Sequence, residues 1–248
     1  MKRFLCGAAA GLLLALGAAA GGEVVDVPAR RDVTLFEDSL GLIASGAGQF
    51  LFVGETNAGS TRRGMLLFDV QNYIPAGSTI DSAVLTLHCS RSSSAGRRID
   101  VHRALATWGE GASDSGDPGG GGANPELGDA TWLHRFYSPT SPVFWNTPGG
   151  DFETTILASQ TVSGVGNYSW QSAGLTAGVQ AWLNDPGQNF GWLLQGVESG
   201  RSAKRFDTHE NATPAFRPVL RVNYTIPEPT TGLLIGAAAL LGLRRRGA

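Results

Sequence analysis

Cysteine, charge and clustered histidine are all scarce in this chain, and each shortage removes a class of function. Two cysteines occur in 248 residues. Cys6 lies in an apolar leader, so removal of that leader isolates Cys89 and leaves no intramolecular disulfide to form. Charged residues make up 16% of the chain, with a formal net charge of -2. No basic cluster stands outside the last few residues, which argues against nucleic acid as a partner. His88, His102, His134 and His209 are scattered, with no two at the spacing a zinc hydrolase uses. There is no Gly-x-Ser-x-Gly elbow, and the glycine run 119–122 is not followed by the Lys-Ser/Thr of a phosphate-binding loop. Glycine, by contrast, is abundant at 35 residues. Its freedom to adopt positive φ points to short strands joined by tight turns.

The two ends differ from the middle. Lys2 and Arg3 precede an apolar stretch from Phe4 to Leu16, and Ala18, Ala19 and Ala20 supply small residues for signal peptidase, so residues 1–20 read as a signal peptide forming an N-terminal helix. At the other end, Pro227, Glu228 and Pro229 introduce an uncharged run from Thr230 to Leu243, closed by Arg244, Arg245 and Arg246. The run is short for a permanent span of ~20 residues, and the arginines after it obey the positive-inside rule. An ordinary C-terminal anchor or a buried helix would also account for the apolar run alone. The order of the three parts resembles the PEP-CTERM sorting signal of bacterial exosortase substrates. That resemblance implies that residues 226–248 hold an exported chain transiently in the inner membrane until exosortase cuts near Pro-Glu-Pro. The expected destination is the cell surface or extracellular matrix of a Gram-negative-type bacterium.

Residues 22–225 carry the fold. From Thr79 to Cys89, alternation places Ala83, Leu85, Leu87 and Cys89 on one face and Val84, Thr86 and His88 on the other. Arg98–Arg103 repeats it with Ile99 and Val101 inward, so a hairpin joining these strands would set His88 opposite Asp100. Further strands are expected at Phe50–Val53, Met65–Val70, Trp132–Tyr137, Asp151–Val162, Trp192–Gln195, Arg205–Thr208 and Val219–Tyr224. Leu175, Val179, Trp182 and Leu183 fall instead at helical spacing, and Asp185-Pro186-Gly187 ends that run. The expectation is an all-β, jelly-roll-like sandwich of mainly antiparallel strands with one short helix.

The fragments Gly64–Val70, Ile74–Leu87, Thr107–Glu110, Ala130–Trp132, Trp145–Phe152, Val179–Trp182, Asn189–Leu194, Arg205–Glu210 and Arg217–Tyr224 follow one another in an order that resembles the DNRLRE domain family of secreted microbial proteins. The literal six-letter string of the family name is missing from the chain. The resemblance implies a β-sandwich jelly roll on extracellular, polymer-associated proteins, frequently without a demonstrated activity. Together with the export and sorting signals it gives the expectation of a non-catalytic envelope or matrix protein that is polysaccharide-associated or carbohydrate-binding.

A sugar surface needs flat rings open to solvent and a few polar groups. Trp170, Trp182 and Trp192 sit on apolar faces and are assigned to the core. Trp108, Trp132 and Trp145 flank long loops, which makes them the candidate platform, with His134 and Tyr137 as polar helpers; the alternative is that all three staple those loops down. The acidic, glycine-rich loop suggests calcium held by Glu110, Asp129 and Asp151, against a solvated loop without an ion. Arg135 and Tyr137 are the nearest residues to a lyase pair, so a polysaccharide lyase or glycosidase is the enzymatic alternative. An adhesion module binding surface proteins is the third.

Overall fold

A computed structural model of the chain describes residues 22–227 except Ser94; the leader and the sorting residues Glu228, Pro229, Arg244, Arg245 and Arg246 lie outside the described residues, while Pro227 is described and exposed. Among the described residues, no helix is long and apolar enough to cross a membrane.

The strands, in chain order, are β1 (Gly22–Phe36), β2 (Phe50–Glu55), β3 (Thr61–Phe68), β4 (Thr79–Ser92), β5 (Arg97–Arg103), β6 (His134–Phe136), β7 (Val143–Phe144), β8 (Ala158–Val162), β9 (Gly166–Gln171), β10 (Trp192–Gly196), β11 (Lys204–Asp207) and β12 (Val219–Thr225). One α-helix, α1 (Ala173–Asn184), lies between β9 and β10. Every pairing is antiparallel. Six strands close a barrel-like ring in the order β1-β12-β4-β11-β2-β3 and back to β1. From β3 the sheet continues through β10 and β5 to β8, and β9 pairs with the middle of β4, from Val84 to Cys89. The all-β, antiparallel expectation is met. Closure of the six strands is the difference from a plain two-sheet sandwich.

Two strands make the closure by changing partners along their length. The first half of β1 pairs with β12, from Gly22 opposite Thr225 to Pro28 opposite Val219, and its second half pairs with β3. Proline lacks the N–H a ladder needs, and the change of partner follows directly after Pro28. In β2, Phe50–Val53 pair with β11 and Gly54–Glu55 with β3.

Inside the ring, β4 shows the expected alternation, with Ala83, Leu85, Leu87 and Cys89 buried and Val84, Thr86 and His88 partly covered. Ile80 also faces inward, which breaks the period of two, and the register shift against β12 beside it absorbs the extra residue. The helix completes this end. Ser172 caps it by accepting from the Leu175 amide at 2.9 Å, and Leu175, Val179, Trp182 and Leu183 are its buried stripe. Thr176 Oγ1 and Gln180 Oε1 accept the amides of Ala83 and Ile80, satisfying backbone donors beside the irregularity. Trp182 packs on Trp192, and Trp192 on Phe68.

Several sequence expectations are corrected. His88 does not face Asp100, because β4 and β5 do not pair; His88 Nδ1 meets Asp207 at 2.6 Å, and Asp100 pairs with Arg98 at 2.8 Å. The Trp132–Tyr137 strand contracts to His134–Phe136, and Asp151–Val162 to Ala158–Val162. Residues 104–157 form one long insertion between β5 and β8, in which β6 and β7 are a separate two-stranded sheet.

Candidate functional site

The insertion carries all the candidate aromatic residues, and they anchor it. Trp108 is 1% exposed and donates its indole N–H to the Phe190 carbonyl at 2.9 Å. Trp145 is 5% exposed and donates to the Thr131 carbonyl at 2.9 Å. Both belong to a second apolar cluster with Val33, Leu35, Met65 and Leu193, separate from the interior of the ring. Trp132 is half-buried, with the Arg63 guanidinium 5.0 Å from its ring centre. His134 is 6% exposed; its Nδ1 lies 2.9 Å from Thr131 Oγ1, and its ring meets Tyr137 edge-on and Phe144. Burial holds the His134 imidazole below the ordinary histidine value, despite a contribution from the Gly41 backbone in the other direction. These residues do not share an open face. The geometry is that of loop staples, and the tryptophan platform is corrected accordingly.

The expected calcium ligands are also dispersed. Asp129 is fully buried and accepts from the Glu126 amide at 2.6 Å and the Ser113 amide at 3.5 Å. Asp151 accepts from the Asn146 and Thr147 amides at 3.0 and 2.9 Å. Each carboxylate therefore satisfies loop backbone in place of a ladder. Glu110 alone of the three points elsewhere, and two glycines position it. A Cβ on Gly111, whose φ is +77°, would lie 1.5 Å from Asp129 Oδ1, and one on Gly46 would lie 1.7 Å from the Glu110 carbonyl oxygen. Only residues without side chains allow the loops to pass this closely.

Glu110 reaches the second half of β1, where its Oε1 accepts from the Asp32 amide at 2.7 Å. Asp32 in turn accepts, through Oδ2, from the His209 amide at 2.9 Å, with His209 Nδ1 3.2 Å away. His209 Nδ1 also lies 3.6 Å from Glu110 Oε1, and its Nε2 lies 3.0 Å from Glu210 Oε1. The turn bearing His209 is fixed by Thr208, which donates its hydroxyl to the Gly48 carbonyl, and by Asn211, which donates to Asp207. Burial pushes the Asp32 carboxyl up to about 6 against the opposing His209 hydrogen bond. Burial likewise raises Glu110 to about 7, opposed by the Asp32 amide. For His209, burial acts downward, but hydrogen bonds with Asp32 and Glu210 outweigh it and hold the imidazole at about 10. Among the described residues, Asp32, Glu110 and His209 are the group whose ligand atoms converge, all within 4.8 Å.

A second feature borders the other flank of the insertion. An open cleft of about 450 Å³ is lined by Phe52, Arg62, Arg91, Lys204 and Arg205, with Asn57 at its edge. Arg62 and Lys204 are buried at its base. Arg62 Nη1 donates to Ser60 and to the Thr61 carbonyl, leaving its enclosed Nε without a protein partner. Lys204 Nζ donates to Ser92 Oγ and the Ala95 carbonyl. Arg205 lies over the Phe50 ring at 3.7 Å and meets the exposed Asp117 at 3.4 Å. A larger hollow of about 520 Å³ lies beside the start of α1, but its ionisable residue is Asp81 and it offers no cation.

The sequence contains no basic run here; four cations from β3, β4 and β11 are brought together by the β3-β2-β11-β4 pairing. The signal available in sequence was modest: adjacent cations inside strands, Arg62-Arg63 and Lys204-Arg205, where one of each pair must turn inward. For Asp32 and His209 the separation of 177 residues left no spacing to read. No family model matches this chain, and no curated protein sequence matches it either.

Proposed function

We propose that this chain is an exported, non-catalytic protein of the cell envelope or extracellular matrix that associates with acidic polysaccharide through the cleft lined by residues of β2, β3, β4 and β11. The observation that carries the reading is the convergence of Arg62, Arg91, Lys204 and Arg205 along one cleft with the half-buried ring of Phe52. Guanidinium groups pair with carboxylate or sulfate in fixed geometry, and an aromatic ring offers an apolar surface to a pyranose C–H face. Asn57 and Thr56 at the rim supply groups for hydroxyls. A uronate entering the cleft would compete with Asp117 for Arg205.

The export and sorting signals read at the two ends support a location where such polymers occur, with signal peptidase and exosortase as processing partners and a transient stay in the inner membrane. A DNRLRE-like, jelly-roll-related domain, its two sheets joined through β1 and β2, is the fold-level part of the same reading.

Affinity electrophoresis against a polyuronate and a neutral glucan tests it. The expected result is retardation by the polyuronate alone, weakened by added salt and reduced about tenfold or more by Arg91→Glu or Arg205→Glu. Equal retardation by the neutral glucan, or indifference to both substitutions, would overturn the cleft assignment. Release of reducing ends or unsaturated products would favour the lyase or glycosidase alternative, and retention on a cell-surface protein without glycan would favour adhesion.

A further inference from the structure

The geometry points to a binding site for one first-row divalent metal ion, of the zinc class, at Asp32, Glu110 and His209, separate from the cationic cleft.

The spacing is the first argument. Two ligands bound at about 2.0–2.1 Å to a tetrahedral ion stand roughly 3.3–3.5 Å from each other. His209 Nδ1 stands 3.2 Å from Asp32 Oδ2 and 3.6 Å from Glu110 Oε1. The third edge, between the Asp32 and Glu110 carboxylates, is bounded at 4.8 Å, so an ion between the three atoms would draw the two carboxylates toward it.

The second argument is the orientation of the imidazole. Nε2 faces Glu210 Oε1 at 3.0 Å, so a proton kept on Nε2 would let an incoming ion displace the Nδ1 proton and take the lone pair that points at Asp32 and Glu110. A carboxylate that fixes the tautomer of a ligating histidine from behind is the usual outer partner in such sites. Glu210 is thus assigned as a positioning residue and the other three as ligands.

The third is independent of both. Asp32 is 0% exposed, and while its Oδ2 faces His209, its Oδ1 is enclosed without any protein hydrogen-bond partner. A buried carboxylate oxygen left in this state is destabilising unless something satisfies it. A proton on Nδ1 serves Oδ2 but leaves Oδ1 as it is, whereas an ion bound through both oxygens of the Asp32 carboxylate would satisfy each.

The donor set selects the ion. Calcium is bound by oxygen ligands in sixes to eights, whereas one imidazole with two carboxylates suits zinc and its first-row neighbours. The ligands come from β1, the long insertion and the turn after β11, separated by 78 and 177 residues. Binding would join three distant segments, and its free energy would add to that of folding.

The full-length chain, stripped with a chelator and dialysed, provides the test. Competition with a chromophoric chelator should show one zinc ion per chain, and cobalt(II) should give a visible d–d band in the unsubstituted protein. His209→Gln should weaken zinc binding about 100-fold or more, and Glu210→Gln, which leaves every ligand in place, about 10–100-fold with an altered cobalt spectrum. Arg91→Glu should bind zinc as before. Failure of the folded, unsubstituted chain to retain zinc or to develop the cobalt band would overturn the site and leave an ion-pair cluster. Zinc binding unchanged by His209→Gln, or calcium held in preference to zinc, would overturn it equally. If His209→Gln does not fold, the cobalt spectrum of the unsubstituted chain decides.

Discussion

The closed ring and the insertion that leans on it solve the same problem by different means. In the ring, backbone donors and acceptors are satisfied by antiparallel ladders, and the interior is apolar from Val27 through Leu85 to Val222. In residues 104–157 only β6 and β7 make a ladder, and they are short. There, side chains replace it: Asp129, Asp151 and Thr131 accept loop amides, while Trp108 and Trp145 plug into the outer face of the ring. A loop this long is uncommon in a compact domain without such anchors. Side-chain acceptors can be set at any position the loop requires, whereas a ladder dictates position. Both candidate sites lie where the insertion meets the ring, Glu110 against β1 and Pro118 and Gly120 beside Arg205.

The largest test of the comparison removes an anchor. Trp108→Ala empties a fully enclosed volume and orphans the Phe190 carbonyl, so it should lower unfolding free energy by about 3–5 kcal/mol in urea titration. An undiminished stability with altered glycan binding would return Trp108 to the platform role. A smaller effect is expected at Gly111→Ala, where the new Cβ meets Asp129 and φ is unfavourable. It should cost about 1–3 kcal/mol and preferentially increase hydrogen exchange in the insertion, leaving the β4 and β12 amides protected. Uniform loss of protection would show that the two regions open as one unit. The smallest effect is a titration. His134 is held below the ordinary histidine value, so its neutral form is favoured by folding. Its stabilisation is complete above the unfolded value of about 6.5 and declines as pH falls through that value toward the lower folded one. NMR of the His134 ring should give a midpoint below about 6.5, and a midpoint above it would contradict the packing against Tyr137 and Phe144.

The same contrast explains what could be read from the sequence. The faces of β4 and the stripe of α1 were legible because period and burial coincide there. The long strand β1 was not, since Glu23, Asp26, Arg30, Arg31 and Asp32 give it a polar pattern and Pro28 interrupts it; only pairing with the distant β12 and β3 makes it a strand. The His88–Asp100 pairing failed because consecutive strands β4 and β5 belong to opposite sides of the fold. Among site residues, Glu110 stood out as a loop carboxylate, but its partners Asp32 and His209 are defined by tertiary contact alone. Trp108 and Trp145 looked like a binding surface because a loop aromatic reads the same in sequence whether its ring turns outward or inward.

The antiparallel pairing of Gly22 with Thr225 also sets an order of events. The first strand of the domain leaves the ribosome with neither β3 nor β12 available, and half of it must wait until nearly the last residue of the domain has been made. Ring closure is therefore a late, whole-chain step with large sequence separation, the kind that proceeds slowly. Until then the polar residues that hid β1 from a sequence reading keep that waiting segment compatible with water.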